Sequence, residues 1–199
     1  MQQTVLYIHG KGGGAGESEH YRPLFPGCGV IGLDYRGNTP WEAGREIRDA
    51  VEILKSRGDS VILIANSIGA FFTLHAQVDA LVEKAYFISP IVDMEGLIRG
   101  MMTAAQVTEA ELEARGTIPT PFGEDLSCEY LRYIREHPVR WRAPTWVLYG
   151  GDDVMTSLET VTEFARRHKA ALTVMENGEH WFHTKEQMRF LDDWIKSTL

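Results

Sequence analysis

The clearest candidate for chemistry in this chain is Ser67, which follows a run of aliphatic residues at positions 61–64. Ala65 and Gly69 lie two positions before it and two positions after it. A strand that turns sharply into a helix holds its serine in a strained backbone conformation, and large side chains at those two positions would collide with neighbouring backbone. The pattern therefore predicts a nucleophile elbow, in which Ala65 replaces the more usual glycine.

A serine hydroxyl is a weak nucleophile near neutral pH, so it requires a histidine base that a carboxylate holds in the correct tautomer. Two later apolar runs end in loops that carry such residues. Asp152 and Asp153 follow positions 146–149, and His180 lies in the loop after positions 172–175. The order serine, acid, histidine, on three loops that each follow an apolar run, predicts a catalytic triad. The acidic pair is also compatible with an ordinary turn.

These motifs resemble the α/β-hydrolase superfamily, in particular its small serine hydrolases, and the resemblance extends over nearly the whole chain. In that family a glycine commonly precedes the acid by three positions, which implies that Asp153 is the acid and His180 the base. Asp152 stays an alternative acid, and His183 an alternative base. The resemblance rests on His9-Gly10, Ala65-Asn66-Ser67-Ile68-Gly69, Gly150-Gly151-Asp152-Asp153 and Gly178-Glu179-His180.

The resemblance also implies an oxyanion hole made of two backbone N–H groups. In the family one donor is the residue after the nucleophile, which is Ile68 here, and the other follows the first core strand, which is Lys11. Positions 9–12 resemble the HG-x-G form of that loop, whose glycines let the backbone approach a substrate closely. The resemblance implies no cofactor.

The glycine-rich positions 10–14 also permit a nucleotide-binding interpretation. A match to G-x-G-x-x-A begins at Gly10, and Asp34 ends the next apolar run. That interpretation needs an α-helix with an apolar face directly after the glycines, whereas positions 16–26 are polar and contain two prolines. The sequence therefore favours the hydrolase interpretation over the nucleotide-binding one.

Two further alternatives are a metal site and a non-catalytic role. His180 and His183 have helical spacing but lack a convincing third ligand, so we expect no metal. A protein that keeps this fold only to bind a ligand has no reason to retain serine, acid and histidine together. The predicted function is hydrolysis of a small-molecule carboxylic ester or thioester through an acyl-serine intermediate.

Length and composition limit the other possibilities. The 199 residues fit one domain, residues 1–199, and the net charge of −8 would repel nucleic acids and anionic membranes, so neither is an expected partner. The first residues lead directly into an apolar run without a signal peptide, no run reaches membrane-spanning length, and two cysteines make no disulfide framework. We therefore expect a cytoplasmic protein.

Six apolar segments predict the strands of the fold. Most are continuous rather than alternating, which is typical of parallel strands that are covered on both faces. Helical patterns with capping signals at Thr39, Thr156 and Thr184 separate several of them. The sequence thus predicts a doubly wound, mainly parallel six-stranded α/β sheet, and the resemblance implies a trimmed α/β-hydrolase core. The six segments are residues 5–8, 30–33, 61–64, 85–88, 146–149 and 172–175.

No strand is predicted between positions 91 and 143, and this interval is interpreted as a helical cap insert, because an insert at this place in the family commonly covers the active site. Its helices are predicted at 94–105, 108–115 and 126–137. Apolar side chains of the insert, and one beside the base, are candidates for a substrate pocket, with ordinary packing as the alternative. The pocket candidates are Met94, Ile98, Met101, Met102 and Trp181.

Overall fold

The computed structural model describes residues 2–199 and has a parallel β-sheet at its centre. Within these residues the strands are β1 (Gln3–Ile8), β2 (Gly29–Leu33), β3 (Ser60–Asn66), β4 (Lys84–Ile88), β5 (Thr117–Pro119), β6 (Asp125–Ser127), β7 (Thr145–Gly150) and β8 (Ala171–Met175). The sheet order is β2-β1-β3-β4-β7-β8, and every neighbouring pair in it is parallel. All six predicted strands are confirmed, each within two residues of its predicted ends.

Helices connect the strands, and most of them begin at a residue whose side chain caps the first turn. They are a 3-10 helix (Ala15–Leu24), α1 (Pro40–Ser56), α2 (Ile68–His75), α3 (Met94–Ala104), α4 (Glu109–Arg115), α5 (Cys128–Glu136), α6 (Leu158–His168) and α7 (Lys185–Ser197). Thr39 caps α1, and Thr184 forms a reciprocal capping box with Gln187 at the start of α7, as predicted.

The predicted cap at Thr156 is wrong, because Ser157 caps α6 instead. The Ser157 hydroxyl accepts the N–H of Thr160. The N–H of Thr156 donates to Oδ1 of Asp153 at 3.3 Å, so Thr156 belongs to the preceding loop and the helix begins one residue later than predicted.

Both faces of the sheet are covered by helices, which is why its strands are apolar almost throughout. On one face alternate side chains such as Tyr7, Ile64 and Tyr86 form a core with the 3-10 helix and α7. On the other face α1 and α2 pack against β1 and β3. This arrangement is the predicted doubly wound α/β fold. The carboxyl ends of β1, β3, β7 and β8 therefore open toward one edge of the sheet.

The segment after the glycine-rich positions 10–14 forms a 3-10 helix rather than an α-helix. The absence of an α-helix agrees with its polar sequence and with Pro23. Its buried residues Ser18, Tyr21 and Leu24 are spaced by three, which aligns them on one face of a helix with three residues per turn. The α-helix that a nucleotide-binding loop requires does not follow these glycines.

The chain divides into two units. The first combines the residues up to Val92 with Arg140–Leu199 and contains the whole six-stranded sheet. The second is Asp93–Val139, which lies inside the predicted insert and holds α3, α4, the β5-β6 hairpin and α5. Among residues 2–199, none of the helices combines the length and the apolar character that a membrane span needs.

The second unit differs from its prediction, because it contains a short antiparallel hairpin as well as helices. Strands β5 and β6 pair through Ile118 and Leu126, each of which is buried. The expectation that this interval has no strand is wrong, since two strands of three residues with one buried side chain each leave no periodic pattern.

In the same unit Arg135 bonds Glu95 and Glu109, and hydrogen bonds from Arg135 and Arg99 lower the pKa of the Glu95 carboxyl.

Candidate active site

Ser67 lies at a sharp turn between β3 and α2. Its φ of 52° and ψ of −121° are strained for a residue with a side chain. Backbone hydrogen bonds hold this conformation from both sides, because the Ser67 N–H donates to the carbonyl of Ile88 at 3.0 Å and its carbonyl accepts the N–H of Ile91 at 3.2 Å. The turn thereby presents the hydroxyl at the carboxyl edge of the sheet.

Two glycines allow the backbone to pack closely around this turn. A Cβ atom at Gly69 would lie 2.4 Å from the carbonyl oxygen of His9, so a side chain there would force the end of β1 away from α2. A Cβ atom at Gly10 would lie 3.1 Å from Cβ of Ser67. The loop after β1 therefore lies directly against the Ser67 turn.

His180 connects the serine to an acid. Its Nε2 lies 2.8 Å from Oγ of Ser67, and its Nδ1 lies 2.7 Å from Oδ2 of Asp153. With Nδ1–H donating to the carboxylate, Nε2 carries the lone pair that faces the serine hydroxyl. The structure thus brings the three predicted residues from three separate loops into one hydrogen-bonded chain.

The Asp153 side chain is fully buried and accepts three hydrogen bonds. Besides His180, the N–H groups of Met155 and Thr156 donate to its other oxygen, Oδ1, at 2.7 and 3.3 Å. These donors compensate the desolvation of the carboxylate and fix its orientation. The alternative acid Asp152 is exposed, and its backbone N–H donates to the carbonyl of Gly178 instead.

The loops that carry the acid and the base are packed against each other through glycines. A Cβ atom at Gly150 would lie 2.4 Å from the carbonyl oxygen of Gly178, and one at Gly151 would lie 2.4 Å from that of Glu176. The N–H of Gly151 also donates to the carbonyl of Met175 at 2.8 Å. Backbone packing therefore sets the distance between Asp153 and His180.

The two predicted oxyanion donors lie on the elbow and on the loop that packs against it, and their role stays a prediction. Ile68 is the first residue of α2, and the first N–H groups of a helix lack partners within the helix. Lys11 directly follows Gly10, which lies against Ser67. The loop then turns at Gly12, whose φ of 74° favours glycine.

Sequence reasoning missed a tyrosine that ties this loop to the body of the fold. The Tyr35 hydroxyl donates to the carbonyl of His9 at 2.8 Å, and the two rings stack at 4.2 Å. The rings of Tyr35 and Phe72, a residue of α2, also form a T-shaped pair with their centres 5.8 Å apart. Burial raises the pKa of Tyr35 to about 12, so the hydroxyl remains a donor over the neutral range. Its position just after β2, at the same sheet edge, was the available signal.

A second missed contact lies under the same loop. The hydroxyl of Tyr7, a buried residue of β1, donates to Oε2 of Glu17 at 2.6 Å. Burial, with smaller effects from Tyr21 and Glu17, raises the pKa of Tyr7 far above its usual value, so the donor stays protonated. The Glu17 carboxylate in turn contacts Gly13, where a Cβ atom would lie 2.8 Å from it. No local pattern links these residues.

The alternative base His183 has different partners. Its Nδ1 lies 2.7 Å from the carbonyl oxygen of Trp181 and 3.4 Å from Oε2 of Glu179, while its ring stacks on Trp181. Within residues 2–199, no cluster of histidine, cysteine and carboxylate side chains could hold a metal ion.

The predicted pocket residues divide between the two units. Met94, Ile98 and Met102 follow one face of α3 in the second unit, where they are buried, and Met101 is partly exposed. Burial along one helix face is the pattern of ordinary packing. Trp181 belongs to the first unit, directly follows His180 in the chain and is exposed. The assignment of these residues to a substrate pocket stays a prediction.

A family model described as the alpha/beta hydrolase family matches residues 5–193, which is nearly the whole chain. The chain belongs to the alpha/beta hydrolase family. The match includes the β1 loop, the elbow and both loops of the acid and the base, so membership agrees with the resemblance seen in the motifs. No curated protein sequence matches this member of the family.

Solved structures of similar fold cover almost all of this hydrolase-family chain. Est1E from Butyrivibrio proteoclasticus is 16% identical with a TM-score of 0.78, over 99% of this chain and 86% of its own. Mouse alpha/beta hydrolase domain-containing protein 10 is 19% identical with a TM-score of 0.72, and the match covers 98% of this chain and 88% of the mouse protein. The monoacylglycerol lipase of Paleococcus ferrophilus is 18% identical with a TM-score of 0.66, and the match covers 98% of this chain and 95% of the lipase. At these identities the likeness establishes the fold.

Proposed function

We propose that this protein is a serine hydrolase that cleaves small carboxylic esters or thioesters through an acyl-serine intermediate. The observation that carries the proposal is the continuous chain from Oγ of Ser67 to Nε2 of His180 at 2.8 Å and from Nδ1 to Oδ2 of Asp153 at 2.7 Å. Hydroxyl, imidazole and buried carboxylate in this order have the geometry of an activated nucleophile.

The first half of the reaction acylates the serine. Nε2 of His180 takes the hydroxyl proton as Oγ of Ser67 bonds to the carbonyl carbon, and the carbonyl electrons move to the oxygen. The protonated imidazole then gives that proton to the leaving oxygen or sulfur, and the bond between the carbonyl carbon and that atom breaks. Asp153 stabilises the charged imidazole throughout this half-reaction.

The second half regenerates the serine. A water molecule gives a proton to Nε2 of His180 while its oxygen attacks the acyl carbon. The bond to Oγ of Ser67 then breaks, the serine regains a proton from the imidazole, and the carboxylic acid leaves. In both halves we assign the oxyanion to the backbone N–H groups of Lys11 and Ile68. Loss of one such donor costs on the order of 3 kcal/mol in the transition state.

The names of structurally similar proteins agree with ester chemistry. One of them is a monoacylglycerol lipase, another is an esterase of Pyrococcus furiosus, and Est1E has been solved with ferulic acid bound. A shared fold hosts many reactions, so these names are weak support for ester substrates. The hydrogen-bonded chain of Ser67, His180 and Asp153 is stronger support for a serine-based mechanism.

Labelling with a fluorophosphonate tests the proposal, because such a reagent phosphonylates an activated serine. We expect stoichiometric labelling of the wild type and none of Ser67→Ala, together with a loss of p-nitrophenyl butyrate turnover on the order of 10⁶-fold. Ser157→Ala is the matched control, since that hydroxyl caps α6 and should not affect labelling. Equal labelling of wild type and Ser67→Ala would contradict the assignment of Ser67 as nucleophile, and no labelling of the wild type would favour a non-catalytic binding protein.

A further inference from the structure

The loop that carries Lys11 has little conformational restriction of its own, because every other position from 10 to 14 is glycine. One hydrogen bond lies inside this loop, in which the Gly13 N–H donates to the carbonyl of Gly10 at 3.2 Å. That bond closes a turn over Lys11 and Gly12. A turn of flexible residues holds a backbone N–H in one direction only if contacts from outside the loop restrain it.

Glu17 contacts the far end of this loop twice. Its N–H donates to the carbonyl of Gly14 at 3.1 Å. Both oxygens of its carboxylate lie 2.8 Å from the point where a Cβ atom of Gly13 would stand. The carboxylate therefore rests on the Gly13 backbone, in the space that a side chain would fill.

Tyr7 fixes the position of that carboxylate. Its hydroxyl donates to Oε2 of Glu17 at 2.6 Å, which is the short distance of a bond to a charged acceptor. Tyr7 is a buried residue of β1, and its ring packs against Tyr21 of the 3-10 helix with the ring centres 5.2 Å apart. The exposed residue Glu17 thus has a partner that the core of the fold holds in place.

The near end of the loop packs against Asn66, the residue before Ser67. A Cβ atom at Gly10 would lie 3.4 Å from the carbonyl oxygen of Asn66 and 3.7 Å from its Nδ2. The Asn66 side chain also acts on the Tyr7 hydroxyl, because it lowers the Tyr7 pKa, which burial and the other neighbours raise. Tyr7 therefore interacts with both of the residues that flank the loop, Asn66 and Glu17.

We propose that Tyr7 and Glu17 are positioning residues that hold the loop of residues 10–13, and with it the Lys11 N–H, in the orientation that stabilises the oxyanion. This role rests on the serine hydrolase function proposed above, because the oxyanion exists only during that reaction. The two side chains act through the backbone of Gly13 and Gly14 and take no part in making or breaking bonds. An oxyanion forms in acylation and again in deacylation, so both half-reactions depend on the loop.

Removal of the Glu17 carboxylate should slow both half-reactions together. Loss of a whole oxyanion donor costs on the order of 10²–10³-fold in kcat, and a displaced donor loses part of this, so we expect kcat to fall about 10–30-fold in Glu17→Ala. Because acylation and deacylation slow alike, KM should stay within about twofold of wild type. Glu17→Gln keeps an oxygen that can accept the Tyr7 hydroxyl, so its kcat should stay within about threefold of wild type.

A transition-state analogue separates positioning from a general loss of structure. An alkyl trifluoromethyl ketone adds Oγ of Ser67 to its carbonyl carbon and places an oxyanion where that of the substrate forms. Its inhibition constant should rise in Glu17→Ala by the factor by which kcat/KM falls. The number of active sites, counted by fluorophosphonate labelling to completion, should equal that of wild type. A variant that only misfolds would instead lose sites and keep the inhibition constant.

Glu19→Ala is the matched control. Glu19 is an exposed carboxylate of the same 3-10 helix, and it bonds Arg22 rather than the loop. Its kcat and its inhibition constant should both stay within about twofold of wild type, as is usual for an exposed residue without a role in the chemistry.

The double variant of Tyr7→Phe and Glu17→Ala tests whether the two residues act through one bond. Tyr7→Phe keeps the buried ring and removes the 2.6 Å hydrogen bond, so its kcat should fall by about tenfold. The double variant should lie no more than about twofold below the slower single variant, because the second change removes a bond that is already lost. Thermal unfolding of each sample checks the fold, and the Glu17 variants decide the question if Tyr7→Phe does not fold.

Several outcomes would overturn the positioning role and leave the serine hydrolase function standing. They are an unchanged kcat in Glu17→Ala, equal losses in Glu17→Gln and Glu17→Ala, a lower kcat with an unchanged inhibition constant, and losses in the two single variants that multiply in the double variant. A loss in Glu19→Ala as large as that in Glu17→Ala would overturn it as well. A wild type with neither turnover nor fluorophosphonate labelling would overturn both proposals.

Discussion

Replacement of Asp153 by asparagine tests the hydrogen-bonded chain with the smallest change in shape. The Asn oxygen can still accept the N–H groups of Met155 and Thr156, which lie 2.7 and 3.3 Å from Oδ1. The amide NH₂ would then face Nδ1 of His180, where the carboxylate now accepts. Because NH₂ is a donor, Nδ1 must become the acceptor, and the ring proton moves to Nε2.

This tautomer points an N–H at Ser67 instead of a lone pair, so the imidazole can no longer take the hydroxyl proton. Such a change of the triad acid lowers kcat by about 10⁴-fold, which corresponds to about 5 kcal/mol in the activation barrier. The fold should be preserved, since both backbone donors keep their acceptor. We therefore expect a severe kinetic defect in Asp153→Asn with only a small change in the unfolding temperature.

The assay is steady-state hydrolysis of p-nitrophenyl butyrate, with thermal unfolding measured on the same samples. Asp152→Asn is the matched control, because it makes the same change at the neighbouring exposed position. Its kcat should stay within about twofold of wild type, as is usual for exposed residues without a role in the chemistry. A loss below tenfold in Asp153→Asn, or a larger loss in Asp152→Asn, would refute the assignment of the acid.

Two further predictions concern the backbone around the serine. Gly69→Ala should destabilise the protein by about 1–3 kcal/mol in urea unfolding, because the new Cβ would lie 2.4 Å from the carbonyl oxygen of His9. Gly100→Ala is the control: Gly100 lies inside α3 with open space around it, so alanine there should stabilise the protein by about 0.5–1 kcal/mol. Tyr35→Phe should cost about 1 kcal/mol of stability and lower kcat severalfold at unchanged KM in steady-state kinetics, because the carbonyl of His9 loses its 2.8 Å hydrogen bond.

Outcomes that contradict these predictions are equally specific. Equal effects of Gly69→Ala and Gly100→Ala would mean that the turn relaxes around an added methyl group. An unchanged kcat in Tyr35→Phe would mean that the loop after β1 keeps its position without the tyrosine hydroxyl.

The sheet and the three central site residues could be predicted because their signals are local. Continuous aliphatic runs mark strands buried on both faces, and Ser67, Asp153 and His180 each stand in a short loop after such a run. The fold then brings the carboxyl ends of parallel strands to one edge, so chain order and strand ends are enough to place these loops together.

The elements that were missed depend on contacts or periods that a local pattern does not contain. The 3-10 helix buries Ser18, Tyr21 and Leu24 with a period of three, which a search for the α-helical period passes over. The hairpin of the second unit rests on one buried side chain per strand. The bond from Tyr35 to His9 joins residues 26 positions apart, so no spacing rule anticipates it.

The discontinuous first unit has a consequence for synthesis of the protein. His180 lies 113 residues after Ser67, so at about 5–20 residues per second it leaves the ribosome roughly 6–23 s later. Throughout that interval the growing polypeptide carries the Ser67 hydroxyl without the imidazole to which it is hydrogen-bonded in the folded protein. Under the proposed function, nascent chains therefore cannot form the acyl-serine intermediate until the loop after the last strand has joined the fold.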